Sequence, residues 1–252
     1  MDRKLAKRRH GVTEQRARAR LKVVIALVIL AGIVATGFWI VRSPILSVDK
    51  VTVTGSDHSD PRAAIESAGI RPGTPTISVD EASLESILLA DPWIAKASVV
   101  VTWPGSVEVE ITEHVPIAVV QTTNGFANVT ATGAVVRMLD DPTGWPVITT
   151  AEAQAPRPGA SLGGAALLGA LEFLASLPPA LADDAVVDID ADHRLQASLA
   201  GYEIRLGRAI QMGPKAAALL AVIDHGVEDG SSIDVTAPRR PAVANPQVEV
   251  EG

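Results

Sequence analysis

Residues 23–41 read VVIALVILAGIVATGFWIV, nineteen residues with no charge and Thr36 as the one polar side chain, bounded by Lys22 and Arg42. At 1.5 Å per residue a helix over this run covers roughly 28 Å, about the hydrocarbon thickness of a bilayer. The expectation is a single transmembrane helix from Val23 to Val41. A secretory signal peptide is the rival reading, with Ala35-Thr36-Gly37 as a cleavage site, but the apolar run is longer than a signal core and continues through Phe38, Trp39 and Ile40. Trp39 falls where an interfacial aromatic anchor belongs.

Charge orients the span. Residues 1–22 form a basic tail with nine Lys/Arg (Arg3, Lys4, Lys7, Arg8, Arg9, Arg16, Arg18, Arg20, Lys22) against Asp2 and Glu14, a formal charge of +7. Such an excess beside a span holds that side in the cytoplasm, so everything after Val41 is expected outside. The outer part, from Arg42 on, has 13 basic and 27 acidic residues, a formal charge of −14. An acidic surface lacks the phosphate-binding charge that nucleic acid requires, which excludes that partner for the outer domain. The chain has no cysteine, so disulfides and thiolate metal sites are impossible and stability rests on packing. Aromatic residues are few, and the apolar fraction is Val, Ile, Leu and Ala, which predicts an aliphatic, strand-rich core.

Ser47 to Thr54 alternates, with Val51 and Val53 on one face, as a half-buried strand does; Gly55 ends it. Asp60-Pro61 reads as an N-cap with proline in the first turn of a short helix through Ile65 to Gly69. Ser78 and Glu81 have capping-box spacing before a second helix with Leu84, Ile87 and Leu88 on one stripe, stopped by Asp91-Pro92. Two strands follow, Ala97 to Trp103 and Ser106 to Thr112, the second with Val107, Val109 and Ile111 opposite Glu108 and Glu110. The order is β-α-α-β-β.

From Val115 the pattern shifts to short strands at Pro116 to Gln121, Phe126 to Val129, Val135 to Leu139 and Val147-Ile148. Leu167, Leu168, Leu171, Leu174 and Leu177 mark a helix closed by Pro178-Pro179. Strands are expected at Val186 to Ile189, Leu195 to Leu199 and Tyr202 to Leu206, then a helix with Ala216, Leu219, Leu220 and Ile223. Ser232 to Ala237 reads as the last strand, with Ile233 and Val235 towards the core and Asp234 and Thr236 away from it. Residues 238–252, with Pro238, Pro241 and Pro246, read as a disordered tail.

These residues resemble the FtsQ/DivIB family of bitopic cell-division proteins over residues 23 to about 243. Val51-Thr52-Val53-Thr54-Gly55 is similar to the family's V-x-V-x-G first strand, and Asp91-Pro92-Trp93-Ile94 with Ala97 to its P-W-V-x-x-A segment. Trp103-Pro104 opens the next turn, and Val109-Glu110-Ile111-Thr112-Glu113 leads into Pro116-Ile117-Ala118 as its V-x-E-R-x-P-V-A does, with His114 where Arg is usual. Ile204-Arg205-Leu206-Gly207, Lys215 with Leu219-Leu220, Ile233-Asp234-Val235 and Arg240-Pro241-Ala242-Val243 resemble its final elements, without the basic and aromatic residues usual just after Val235.

The resemblance implies an α+β architecture: a transmembrane helix at 23–41, a polypeptide-transport-associated (POTRA) module at 46–113 carrying Val51, Val53, Gly55, Pro92, Trp93, Trp103 and Pro104, and a β-rich domain with two helices at 114–237. It also implies a non-catalytic scaffold at the division septum, with no cofactor. The implied partners are the coiled-coil proteins FtsB and FtsL and septal wall-synthesis enzymes. As the last strand before a tail, Ser232, Ile233, Asp234, Val235, Thr236 and Ala237 are the candidate docking edge.

Several short stretches imitate catalytic or ligand-binding motifs. Ser47-Val48-Asp49-Lys50 has the Ser-x-x-Lys spacing of wall-enzyme nucleophiles, but it opens a strand and lacks the companion motifs. Asp188, Asp190 and Asp192 imitate a calcium loop, with His193 and Leu199 where Gly and Glu belong. The outer histidines lack zinc-helix spacing, and Asn128-Val129-Thr130 matches a glycosylation sequon. Trp93, Trp103 and Trp145, each beside a proline, are expected to pack at strand corners rather than to anchor a partner. An extracytoplasmic cell-wall enzyme with an unrecognised site is the alternative class, and a secretion-channel POTRA protein a third.

Overall fold

The computed structural model of the chain describes residues 21–39, 46–151 and 155–245. One helix, α1 (Leu21–Trp39), is long and apolar enough to cross a membrane, and none of its apolar window is buried. Its described residues begin at Leu21, so Leu21 and Lys22 are helical ahead of Val23. The expected end at Val41 and the tail over residues 1–20 lie outside the described residues.

The chain divides into two compact units, Met1–Thr54 with Asp60–Ile87 and Ser98–Glu110, and Gly55–Ser59 with Leu88–Ala97 and Ile111–Gly252. The expected β-α-α-β-β order is present as β1 (Lys50–Thr54), α2 (Pro61–Ser67), α3 (Glu81–Leu88), β2 (Ile94–Thr102) and β3 (Ser106–Glu113), and β2 and β3 run through both units. The three strands form one sheet in the order β1-β3-β2, with β1 parallel to β3 from Lys50↔Ser106 to Thr54↔Glu110. Val107, Val109 and Ile111 are buried, as alternation requires, while Val51 and Val53 are half-buried.

Asp60 caps α2, its carboxylate accepting the Ala63 N–H, with Pro61 in the first turn. Ser78 does not cap α3. It closes a 3-10 turn (Thr76–Ser78) and donates to the Pro75 carbonyl, and the capping acceptor is Asp80, which takes the Ser83 N–H at 3.2 Å. Leu84 and Leu88 are buried, but Ile87 is 37% exposed, because α3 is two turns long and its apolar stripe is narrow. Glu81 and Glu85 accept the Val101 and Val99 N–H groups, both at 2.9 Å. These carboxylates satisfy donors on an edge strand that would otherwise be open.

The second sheet has nine strands in the order β12-β11-β10-β9-β8-β7-β4-β5-β6. They are β4 (Pro116–Thr122), β5 (Gly125–Thr130), β6 (Val135–Leu139), β7 (Val147–Thr150), β8 (Val186–Ile189), β9 (Arg194–Leu199), β10 (Tyr202–Arg208), β11 (Ser232–Asp234) and β12 (Ala242–Ala244). β4, β7 and β8 run parallel to one another, as do β10 and β11, and the other pairs are antiparallel. Strands β9 and β10 alternate strictly, burying Leu195, Ala197, Leu199, Tyr202, Ile204 and Leu206 and exposing the residues between. The buried side chains form one core with those of α4 (Ala165–Ala175) and α6 (Met212–Asp224), so the helices cover one face; the other is open on β8 to β10, while Val119, Asn128 and Val136 are buried on β4 to β6.

Pro178-Pro179 does not simply close the first of these helices. The fixed φ of Pro179 suits a first helical turn, and a one-turn helix, α5 (Pro179–Ala182), begins there. Leu168 is 41% exposed and leaves the expected stripe.

Candidate partner-binding surface

The end of the nine-stranded sheet differs from the expected one. β11 stops at Asp234, because the Asp234 carboxylate takes the Thr236 N–H at 2.9 Å and turns the chain out of the ladder. The Thr236 hydroxyl, together with that backbone contact, holds the Asp234 carboxyl below its ordinary range. Ile233 and Val235 are fully buried and Thr236 is exposed, as alternation predicts. The segment Ser232 to Ala237 is nevertheless not the edge. β12 pairs with it antiparallel, Ser232↔Ala244, Ile233↔Val243 and Asp234↔Ala242, and the edge is β12. Residues 242–244 are thus ordered where a disordered tail was expected. A three-residue strand between prolines has too few positions to show a period, and its partner lies across a loop.

All three β12 residues are exposed, and Val243 is 43% exposed despite its size. Among the described residues, the strand presents one row of backbone donors and acceptors that no other strand of the sheet takes up. Register aligns Gln196, Arg205, Asp234 and Ala242 across four strands, so a side-chain row on the open face ends at this edge.

Inward of this edge, on β9 and β10 with β11 between, lies a groove of about 670 Å³ whose lining includes Arg194, Arg205, Arg208 and Lys215. It is built by a bulge between Arg205 and Gly207 in β10. Gly207 has φ +67°, and a Cβ there would sit 3.0 Å from Thr236, so the position favours glycine twice over. Lys215, 3% exposed, donates to the Leu206 and Arg208 carbonyls at 2.7 Å each, tying α6 to the end of β10. Burial lowers its pKa, opposed by the Asp234 charge. In a region that carries a charge of −14 from Arg42 on, the arginines here are a local cationic surface suited to carboxylates of a partner.

A second groove, about 550 Å³, gathers Gly55, His58, Trp93, Glu113, His114, Arg137 and Trp145. Its Glu113, with a side chain 10% exposed, accepts the N–H groups of Asp57, His58 and Ser59 and the Ser59 hydroxyl, and meets His58 Nδ1 at 3.0 Å. Burial pushes its carboxyl up, but these hydrogen bonds outweigh it and hold the pKa at about 2. His58 stacks on Trp93 with centroids 4.6 Å apart, and the Arg137 guanidinium lies 5.6 Å from the Trp93 ring. Gly55, at φ +81°, leaves no room for a Cβ against the Ile111 carbonyl, which accounts for the glycine ending the first strand.

Of the motif residues, Gly55 and Trp93 thus meet in one groove, while Pro92, partly buried, and Trp103 and Pro104 do not line it. Trp103 is 51% exposed and is not core, contrary to expectation; Trp93 and Trp145 are half-buried. Glu113 was legible only as the last acid of a motif, and Arg137 carried no signal at all.

The remaining candidates have structural duties. Ser47 forms a bridge with Pro75 rather than starting a helix. Asp190 accepts the Asp192 and Arg194 N–H groups and shapes the β8–β9 turn, and Asp188 takes the Thr149 hydroxyl. Asn128 is fully buried in β5 with Nδ2 on the Ala118 carbonyl, so this sequon is closed to a glycosylating enzyme in the folded protein. Among the described residues no group of three or more His, Cys, Asp or Glu is placed to hold a metal ion.

Comparison with known proteins places both domains. Residues 46–114 match the FtsQ-type POTRA domain, and residues 118–236 match the C-terminal domain of cell division protein FtsQ/DivIB. The cell division protein FtsQ of Streptomyces griseus is 29% identical over 206 residues, 79% of this chain and 97% of that one. That of Anaeromyxobacter is 29% identical over 218 residues, 82% of this chain and 73% of the relative. The Corynebacterium glutamicum protein of the same name is 33% identical over 103 residues, covering 41% of this chain and less than half, 44%, of the relative.

Proposed function

Given that the chain belongs to the FtsQ/DivIB family of cell-division proteins, we propose that it is a non-catalytic scaffold of the septum. It is anchored by α1 with its basic tail in the cytoplasm, and it captures other division membrane proteins outside. The nine Lys/Arg before the span support that orientation.

The observation that carries the reading is the exposed edge of β12 together with a cationic groove on β9 and β10 of the same sheet. A partner strand adds to β12 through main-chain hydrogen bonds, and acidic side chains of the same partner reach Arg194, Arg205 and Arg208. Coiled-coil division proteins of the FtsB and FtsL kind are the proposed partners, with septal wall-synthesis enzymes recruited through the same assembly. Photo-crosslinking in dividing cells tests this. A crosslinker at Val243 is expected to capture a coiled-coil division protein, whereas one at Val186, 41% exposed on inner strand β8, is not. Equal capture from both positions overturns the edge as the docking site, and turnover of wall polymer by the purified outer domains overturns the non-catalytic assignment.

A further inference from the structure

Two turns of the first unit grip the chain where it arrives from α1. Thr76, buried, places its hydroxyl 3.0 Å from the Leu46 carbonyl and 3.2 Å from that of Pro104. Ser47 bridges Pro75, and the Asp49 N–H donates to the Gly105 carbonyl at 2.8 Å. Each gripping turn carries one large apolar side chain pushed into solvent: Ile77 is 62% exposed and Trp103 51%, with Pro104 exposed beside it.

The covalent tether says what lies next to them. Six residues, Ile40 to Ile45, separate Trp39 from Leu46. At no more than about 3.6 Å per residue, Leu46 lies within roughly 14 Å of Arg42, the first charge after the apolar run. The headgroup layer on one side of a bilayer is itself about 5–8 Å thick. The segment that the two turns clamp is therefore held at the membrane surface by chain length alone.

We propose that Ile77 and Trp103 are a membrane foot of the first unit, seated in the headgroup layer of the outer leaflet. The inference rests on α1 spanning the bilayer. Tryptophan suits that layer because its ring is apolar and its N–H is wet. The outer chain is too acidic for attraction to anionic lipid, so the contact is apolar and insensitive to salt. Lipid is favoured over a protein partner because the tether guarantees its presence, whereas two side chains present little area for a stable protein interface.

The test uses the full chain in phosphatidylethanolamine–phosphatidylglycerol vesicles. With Trp39, Trp93 and Trp145 changed to Phe, Trp103 is the single emitter; a companion variant keeps only Trp39. Brominated phospholipid is expected to reduce Trp103 emission about twofold, at low and high salt alike, as an interfacial ring requires. Because the chain has no cysteine, a dye on Ile77→Cys gives a second reading that leaves Trp103 and the other tryptophans in place, and it is expected to be quenched as well. If Trp39 is quenched while Trp103 and the dye are not, the anchor stands and the foot is overturned. If Trp39 is not quenched either, the spanning reading falls and the foot with it. Emission indifferent to bromine but shifting with the protein-to-lipid ratio assigns the patch to a second copy and overturns the inference.

Discussion

Glu113 takes the Ser59 hydroxyl at 2.6 Å and the Ser59 N–H at 2.7 Å, joining residues 54 positions apart through one carboxylate. The loop before α2 has its donors pointed at a single acceptor at the end of β3, so the charge of Glu113 organises the loop rather than facing a ligand.

Glu113→Gln should therefore destabilise the folded domains by about 2 kcal/mol at neutral pH, the scale for hydrogen bonds to a charged group with a low-exposure acceptor. The folded pKa of about 2 lies below the ordinary 4.5. The contribution is complete above 4.5 and is lost as pH falls towards 2. Urea melts across this window should show the acid limb flattened in the variant; an unchanged limb removes Glu113 from the account.

Trp93→Ala removes a half-buried ring stacked on His58 and near Arg137. The cost should be about 1–2 kcal/mol, from partial burial and the ring contacts, rather than the ~3 expected of a core aromatic. A double-mutant cycle with Arg137→Ala should show coupling. A loss of 3 or more with no coupling would return Trp93 to the core.

Prolines separate the inner strand from the edge. The Val235 N–H donates to the Arg205 carbonyl at 3.0 Å, whereas the Thr236 N–H reaches only the Asp234 carboxylate. Val235→Pro should destabilise the domain by about 3 kcal/mol, and Thr236→Pro should cost less. On β12, consecutive N–H groups point to opposite sides, so of Val243→Pro and Ala244→Pro one should abolish partner pull-down while circular dichroism stays native. Binding retained by both folded variants excludes β12.

Lys215→Met keeps the length of a 3% exposed side chain but leaves the Leu206 and Arg208 carbonyls without their shared donor. A loss of about 1–2 kcal/mol is expected, because the Leu206 carbonyl loses a buried hydrogen bond while the Arg208 carbonyl keeps the Ile210 N–H at 2.8 Å, read as a lower urea midpoint. An unchanged midpoint would mean that water replaces the ammonium.

Local pattern settled much of this protein before any tertiary contact was known. The apolar run from Val23 to Val41, the Asp60-Pro61 start of α2 and the alternation of Val107, Val109 and Ile111 each depend on residues near in sequence, where periodicity and caps leave a readable trace. Which residue caps α3 was decided by Asp80 lying nearer than Ser78 to the free N–H groups. That β12 rather than β11 is the edge, that Arg194, Arg205 and Arg208 meet at one bulge, and that Glu113 collects the N–H groups of Asp57 to Ser59 were decided only by folding. Each joins segments distant in the chain, and pairing order and side-chain convergence have no period to read.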